Sequence, residues 1–175
     1  MYMKFGALAA AMLLVGSAPV LAQPAAAPTD AQIAHIAYTA GQIDVDAGKQ
    51  ALQKSHNTDV RAFAQTMVRD HTAVNDKALA LVKKLKVTPQ DNPTSQALAK
   101  QAKATHARLA ALNGSAFDKA YLKNEVAFHQ TVIGALDKTL IPDARNAELK
   151  ALLTSGRSLF GEHLKHAETL AQKLR

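Results

Sequence analysis

The sequence predicts an all-α protein, an antiparallel four-helix bundle with an additional, shorter helix. The first observation is the composition, since alanine accounts for 36 of the 175 residues and only 5% are aromatic. Alanine has the highest helix propensity, whereas strands favour β-branched and aromatic residues. The second is the recurrence of apolar residues in alternating steps of four and three, and the third is the placement of residues that interrupt helices.

Proline and glycine divide the chain into five helical segments. After the N-terminal region only Pro89, Pro93 and Pro142 remain, and proline is disfavoured inside helices. Asn113 and Gly114 form a helix stop of the left-handed type. The predicted breaks lie near residue 56 and at 88–93, 113–114 and 141–143. The predicted helices are 30–55, 57–87, 93–112, 115–140 and 144–174.

The predicted helices also have start signals and apolar seams. Residues that can accept hydrogen bonds from the first backbone N–H groups stand near four starts, namely Asp30, Asn57, Ser115 and Asp143. Apolar seams of this spacing pack antiparallel helices at crossing angles near about 20°. The segment 93–112 is shorter, and it either crosses the bundle or links helix two to helix four on one side.

Residues 1–22 have the pattern of a secretory signal peptide. Lys4 supplies the basic n-region, an almost wholly apolar stretch follows it, and Val20-Leu21-Ala22 offers small residues for cleavage. The apolar stretch is shorter than the roughly 20 residues of a transmembrane helix. We therefore expect a periplasmic protein that does not span the membrane, with a flexible leader at 23–29 and a bundle domain at 30–175.

Composition and charge exclude several functional classes. The absence of cysteine removes disulfides and thiolate chemistry, and the sequence has no nucleophile elbow or glycine-rich phosphate loop. These features favour a non-enzymatic protein. Without Lys4 the net charge of +7 becomes +6, and the charges are dispersed without interleaved aromatic residues. We therefore predict no nucleic-acid partner, while weak contact with anionic envelope surfaces stays open and the oligomeric state is not predicted.

Three histidines, His71, His129 and His163, interrupt apolar seams on three different helices. An unpaired buried polar group costs about 1–3 kcal/mol, so each inward imidazole needs a hydrogen-bond partner or a metal ion. The remaining histidines differ, because His35, His56 and His106 are predicted to be ordinary surface residues.

Carboxylates stand close to the seam histidines along the chain. Asp44 lies at the centre of a stripe of small residues on the first helix, and Glu125 lies one turn before His129. Asp70 and Glu162 directly precede the other two seam histidines. These carboxylates are the predicted partners of the imidazoles.

The heights of these residues in the bundle follow from the predicted turns. At about 1.5 Å per residue, Asp44 and His71 lie nearly level on either side of the first turn. The same count from the turn at Pro142 places His163 roughly 10 Å away from the level of His129. We therefore expect His71 and His129 to be buried and paired with carboxylates, and His163 to be offset toward one end.

Two motifs resemble an exported bacterial family called domain of unknown function 4142. The residues are Val60-Arg61-Ala62-Phe63-Ala64-Gln65 with Met67-Val68-Arg69-Asp70-His71, then Phe117-Asp118-Lys119-Ala120-Tyr121 with His129, and His163-Leu164. The resemblance covers 30–174 and implies an envelope location and a ferritin-like fold, but no activity. Structural roles are expected for the second motif, with Asp118 in the first turn of helix four and the aromatic residues packed against segments three and five.

Two interpretations of the seam histidines stay open. Di-iron bundles use Glu-x-x-His pairs, and no acidic residue stands three positions before any histidine here. A metal site would use a set richer in nitrogen, which suits zinc, copper, nickel or iron. Its candidate ligands are Asp44, His71, Glu125, His129 and His163. The first interpretation, to which the metal-binding or redox bundle is the alternative, is a structural layer of hydrogen bonds that fixes the helix register, in a non-enzymatic envelope protein that binds a partner or acts in stress.

Overall fold

Five helices contain most of residues 26–174, the part of the chain that this computed structural model describes. They are α1 (Asp30–Lys54), α2 (Thr58–Lys84), α3 (Pro93–Ala110), α4 (Gly114–Ala135) and α5 (Ala147–Lys173). α4 continues through a π-helical turn, Leu136–Leu140, and a last helical turn, Ile141–Asp143. The described residues contain no β-strand, which confirms the all-α prediction.

The N-terminal predictions lie mostly outside the described residues. The signal peptide at 1–22 falls there entirely, and of the leader only residues 26–29 are described, without regular secondary structure. Between residues 26 and 174, no helix combines the length and the apolar character needed to cross a membrane.

The four long helices form a bundle of two helical hairpins. α1 packs along α2, α4 packs along α5, and α2 meets α5 where the hairpins join. α3 lies against α1 and also contacts α4, so it covers the remaining side of the bundle. This arrangement matches the second predicted placement of the short helix, a link between helices two and four on one side. We call the half with the starts of α1 and α5 the lower half, and the other the upper half.

Side-chain caps begin most of the helices, although several predicted cap residues are wrong. Asn57 caps α2 as predicted, because its side chain accepts hydrogen bonds from two backbone N–H groups. α1 is capped by Thr29 rather than by Asp30. Asn113, not Ser115, holds the N-cap position of α4, and its side chain makes no capping hydrogen bond.

The last break in the chain lies at 144–146 rather than at 141–143. Pro142 lies in the segment Ile141–Asp143, which follows the π-helical turn directly, so the helical path does not end at the proline. Asn146, and not Asp143, therefore caps α5. The carboxylate of Asp30 accepts hydrogen bonds from the backbone of Arg145 and Asn146 at 2.8 and 2.9 Å, which ties this loop to the start of α1.

Large aromatic residues fill the upper half of the bundle. Tyr121 stacks on Phe117 with ring centroids 6.0 Å apart and meets the edge of Phe63 at 6.2 Å. These rings share one cluster with Leu109 of α3 and Leu170 of α5, as the sequence predicts. Asp118 is buried, but it lies beyond the first turn of α4, so its predicted place beside the helix start is wrong.

Two residues, Arg61 of the first motif and Gly48 of α1, join α1 and α2 by different means. Arg61 donates hydrogen bonds to the backbone carbonyls of Leu52 and Ser55, at the end of α1. Gly48 lets α1 approach α2 closely, because a Cβ there would lie 2.8 Å from Val68 Cγ2 and 3.0 Å from the Ala64 carbonyl oxygen. The α1–α2 hairpin therefore depends on the side chain of Arg61 and on the absence of a side chain at Gly48.

Candidate metal centre

A cluster of buried histidines and carboxylates crosses the middle of the bundle. His71 of α2, His129 of α4 and His163 of α5 are at most 4% exposed, and Asp44 of α1 and Glu125 of α4 are equally buried. The three imidazole centroids lie 5.3–5.6 Å from one another. All five predicted candidates therefore belong to one group, which we call the histidine–carboxylate cluster.

The predicted offset of His163 is wrong, because the turn between α4 and α5 lies further along the chain than Pro142. Counted from Arg145 in the observed loop, His129 and His163 are about 16 and 18 residues away. At about 1.5 Å per residue this difference is only about 3 Å. His163 thus reaches the level of the other two histidines.

Two hydrogen bonds fix which nitrogen of His129 and of His163 carries the proton. His129 donates from Nδ1 to the backbone carbonyl of Glu125 at 3.0 Å, so its Nε2 keeps a lone pair. His163 donates from Nε2 to Asp70 Oδ2 at 3.0 Å, so its Nδ1 keeps a lone pair. Metal-binding histidines are held in this way, with the second ring nitrogen donating to an oxygen.

Asp70 pairs with a different histidine from the one beside it in the sequence. Successive helical residues point about 100° apart, so Asp70 and His71 leave α2 in different directions. Asp70 instead crosses to His163 on α5, and Arg69 holds its other oxygen at 2.7 Å. Glu162, the predicted partner of His163, is exposed.

His71 lies between a carboxylate and an aromatic ring. Its Nε2 is 3.3 Å from Asp44 Oδ2, which confirms that these residues face each other at one level, although the pair lacks hydrogen-bond alignment. The ring stacks on Phe160 with centroids 4.7 Å apart and an angle of 13°. His129 is also not paired with a carboxylate as predicted, since its Nδ1 is 3.8 Å from Glu125 Oε2.

Many polar atoms of the cluster have no hydrogen-bond partner among the described residues. These buried atoms are both ring nitrogens of His71, His129 Nε2 and His163 Nδ1, and they are joined by Asp44 Oδ1 and both oxygens of Glu125 when neither carboxyl carries the proton that would link the two in a hydrogen bond. Buried polar groups in proteins are nearly always paired, and each unpaired one costs about 1–3 kcal/mol. The concentration of unpaired polar atoms at one place indicates a site where a bound group, rather than another side chain, supplies the missing partners.

The candidate ligand atoms form two overlapping groups. One nitrogen each of His71, His129 and His163 lie within 4.8 Å of one another, and so do single atoms of Asp44, Glu125 and His129. Nitrogen ligands at 2.0–2.1 Å from one ion are at most about 4.2 Å apart. Small side-chain adjustments would therefore bring either group around an ion.

Burial disfavours the charged forms of the groups in the cluster. Desolvation lowers the pKa of His71 to about 4 and also lowers the pKa values of His129 and His163. Desolvation raises the pKa of Asp44 to about 6, and it raises the pKa of Glu125, with the nearby Asp44 charge adding to the effect. The imidazoles are thus neutral at pH 7, which is the form that binds metals.

Three contributors to the site escape sequence reasoning. Phe160 reads as an ordinary seam residue, yet it covers the face of His71. The hydroxyl of Tyr121 is buried without a partner, and burial together with the carboxyls of Glu125 and Asp44 raises its pKa. Asp70 is visible as a carboxylate near the cluster, but only the helix directions reveal its partner.

The fold and the cluster together define a helical bundle with a buried, nitrogen-rich polar centre. The chain belongs to the family described as "Domain of unknown function (DUF4142)", whose pattern matches residues 15–170. No curated protein sequence matches it.

Two solved structures share the fold. The DUF305 protein of Streptomyces coelicolor has a TM-score of 0.71 and 12% identity, over 83% of this chain and 93% of that one. CopM in its Cu(II)-bound form has a TM-score of 0.63 and 16% identity, over 83% of this chain and 98% of that one. At these identities the likeness concerns the fold.

Proposed function

We propose that this protein binds one transition-metal ion in the histidine–carboxylate cluster, and that it does so as an exported envelope protein. The observation that carries the proposal is the convergence of three neutral, buried imidazoles, which each place one nitrogen within 4.8 Å of the others and each keep a ring nitrogen without a hydrogen-bond partner among the described residues. A structural layer would instead use these nitrogens in hydrogen bonds within the bundle. Only one nitrogen of His129 and one of His163 are used in that way.

The charges of the cluster suit a divalent cation. Glu125, whose pKa is raised well above its usual value, holds a proton in the metal-free protein, and a cation would displace that proton and be balanced by the carboxylates of Glu125 and Asp44. His71, His129 and His163 would hold the ion, and Asp44 or Glu125 would complete the ligand set. Such an ion would place a positive charge, and the coordination chemistry of a transition metal, in an otherwise apolar core.

Copper and zinc are the metals that the ligand set favours. Imidazole nitrogen suits both ions, and among divalent ions Cu(II) binds most tightly to a given nitrogen and oxygen site. The chain has no cysteine, so thiolate-dependent sites are excluded. The shared fold with CopM, whose structure holds Cu(II), supports Cu(II) as the first ion to test.

The test is a titration of chelator-treated protein with Cu(II) and with Zn(II), followed by calorimetry and metal analysis after dialysis. We expect one retained equivalent, and the electron paramagnetic resonance spectrum of the Cu(II) form should show coupling to imidazole nitrogens. H71A, H129A and H163A should each lose the retained ion. H106A, at an exposed histidine of α3, is the matched control and should keep it.

Two results would contradict the metal proposal. The first is the absence of a retained ion in the unsubstituted protein, which would favour a polar layer completed by buried water. The second is an equal loss in H106A, which would indicate surface binding. Because a core substitution can impair folding, circular dichroism accompanies each variant, and the spectrum of the unsubstituted protein reports the nitrogen ligands independently.

Export is the second part of the proposal, and it rests on the sequence of residues 1–22. The short apolar stretch between Lys4 and the Val20-Leu21-Ala22 site fits a cleaved signal peptide. The intact mass of protein from a periplasmic extract should correspond to 23–175. A mass that retains residues 1–22 would contradict cleavage.

A further inference from the structure

The lower half of the bundle contains a second feature, a cavity of about 710 Å³. It lies between α1, α2, α4 and α5 and extends from the ring of Phe160 to the loops at the lower end, where Pro93 and Thr94 of α3 border it. Binding pockets for small molecules commonly have volumes of about 300–1,000 Å³. The cavity is thus large enough for an organic ligand.

The two halves of the bundle differ in how they are filled. Phe63, Phe117 and Tyr121 are completely buried in the upper half. The lining of the cavity includes small residues from four helices, namely Ala37, Ala40, Gly41, Ala78, Ala135 and Gly156. Protein interiors are normally packed as densely as organic crystals, so a space of this size is unusual.

Close approach of backbones does not account for the glycine at position 156. A Cβ on Gly156 would meet only the ring of Phe160, at an ordinary contact distance of 3.6 Å. A larger apolar residue could therefore occupy part of the cavity. The small residue leaves open a space that the fold itself does not require.

The chemistry of the lining restricts what the cavity can hold. The described lining residues include no lysine, arginine or histidine, and Asp143 is their only charged member. A fatty-acid carboxylate would find no cation there and would be repelled by Asp143. Asn75 lines the cavity with a buried side chain whose amide Nδ2 has no hydrogen-bond partner between residues 26 and 174.

The shape of the cavity favours a long molecule over a compact one. Leu149 and Phe160 both line it, and they are 11 residues apart on α5, which corresponds to about 16 Å. We propose that the cavity binds a neutral, elongated apolar molecule with a hydrogen-bond acceptor, to which the Asn75 amide donates. This site is separate from the proposed metal centre, although Phe160 borders both.

The test uses the fluorescent probe N-phenyl-1-naphthylamine with two competitors of equal chain length, 1-decanol and decanoate. We expect probe fluorescence to rise on binding and 1-decanol to displace the probe at least tenfold more effectively than decanoate. N75A should weaken competition by 1-decanol several-fold. All measurements are made with a chelator present, so that failure of the metal proposal does not affect them.

Two glycines of α5 offer a matched pair of variants. G156L fills the cavity and should abolish probe binding, whereas G161L should retain it because Gly161 does not line the cavity and a Cβ there meets only Arg157 Nη1, at 3.8 Å. If G156L does not fold, A78L on α2 serves the same purpose. Equal probe binding in the filled variant and in G161L, or equal competition by decanoate and 1-decanol, would overturn the proposal.

Discussion

At the scale of single residues, the proton positions in the cluster depend on a carboxylate that lies at its edge. Asp70 accepts the Nε2 proton of His163 and thereby directs the Nδ1 lone pair of that ring inward. The side chain of Asp70 is itself held by Arg69, which is largely exposed. Asp70 is thus a positioning residue, because it acts on the proposed metal through His163.

D70A should weaken metal binding by about 10–100-fold, the usual effect of removing the oxygen partner of a histidine ligand. Calorimetric titration with Cu(II) measures the affinity, and the copper spectrum should change because the orientation of His163 changes. D76A, at an exposed aspartate of the same helix, is the control. Equal affinities of D70A and D76A would show that His163 needs no orienting partner.

The identity of the site residues was predictable at this scale, but their pairing was not. Interruptions of apolar seams revealed His71, His129 and His163, because a polar residue at a core position is conspicuous. Hydrogen bonds between different helices depend on side-chain direction and on exact height, which periodicity does not specify. This explains why Asp70 was expected beside His71 and lies instead against His163.

At the scale of secondary-structure elements, the absence of a side chain at Gly48 allows α1 and α2 to pack closely against each other. G48A should destabilise the protein by roughly 1–2 kcal/mol, because the cost of overpacking exceeds the gain in helix propensity. G134A is the matched control, since a Cβ there meets nothing within 4 Å. It should stabilise the protein by about 0.5–1 kcal/mol.

Urea unfolding of both glycine variants measures these changes. The two substitutions add the same methyl group to a helix, so their difference isolates the contact between α1 and the Ala64 carbonyl. If G48A proved as stable as G134A, the two helices could separate without cost and the close approach would not contribute to the fold.

The elements themselves were largely predictable, and the errors have local causes. The loops around Asn57 and Asn113 were predictable, because helix-breaking residues affect the backbone only within a few positions of themselves. Pro142 was misleading, because the helical path continues through it after a π-helical turn, and that turn is not recognisable in the sequence. That single error displaced the predicted height of His163.

At the scale of the whole molecule, the three buried imidazoles should reduce the stability of the metal-free protein as the pH falls from about 6.5 to about 4. Burial lowers the pKa of His71 from 6.5 to about 4, so the unfolded chain binds a proton in this range that the folded protein does not. For His71 the difference corresponds to about 3 kcal/mol. His129 and His163, whose pKa values are also lowered, act in the same direction.

The buried carboxyl groups oppose this effect, because their raised pKa values stabilise the folded protein at low pH and this contribution is lost as the pH rises. Urea unfolding between pH 7.5 and 4 with a chelator measures the balance. The double variant D44N/E125Q lacks the two opposing carboxyls, so its stability should fall more steeply toward pH 4 than that of the unsubstituted protein. A stability of this variant that rises toward pH 4 would contradict the assignment of neutral histidines.

The division of the bundle into two hairpins has a consequence for the order in which the molecule assembles. The α1–α2 hairpin carries Asp44 and His71, whereas Glu125, His129 and His163 belong to the α4–α5 hairpin. Neither hairpin holds a complete ligand set, so the cluster comes into existence only when the two dock. A bound ion would therefore be enclosed only after the two hairpins have docked, and the rate at which the ion dissociates would report how often the hairpins separate.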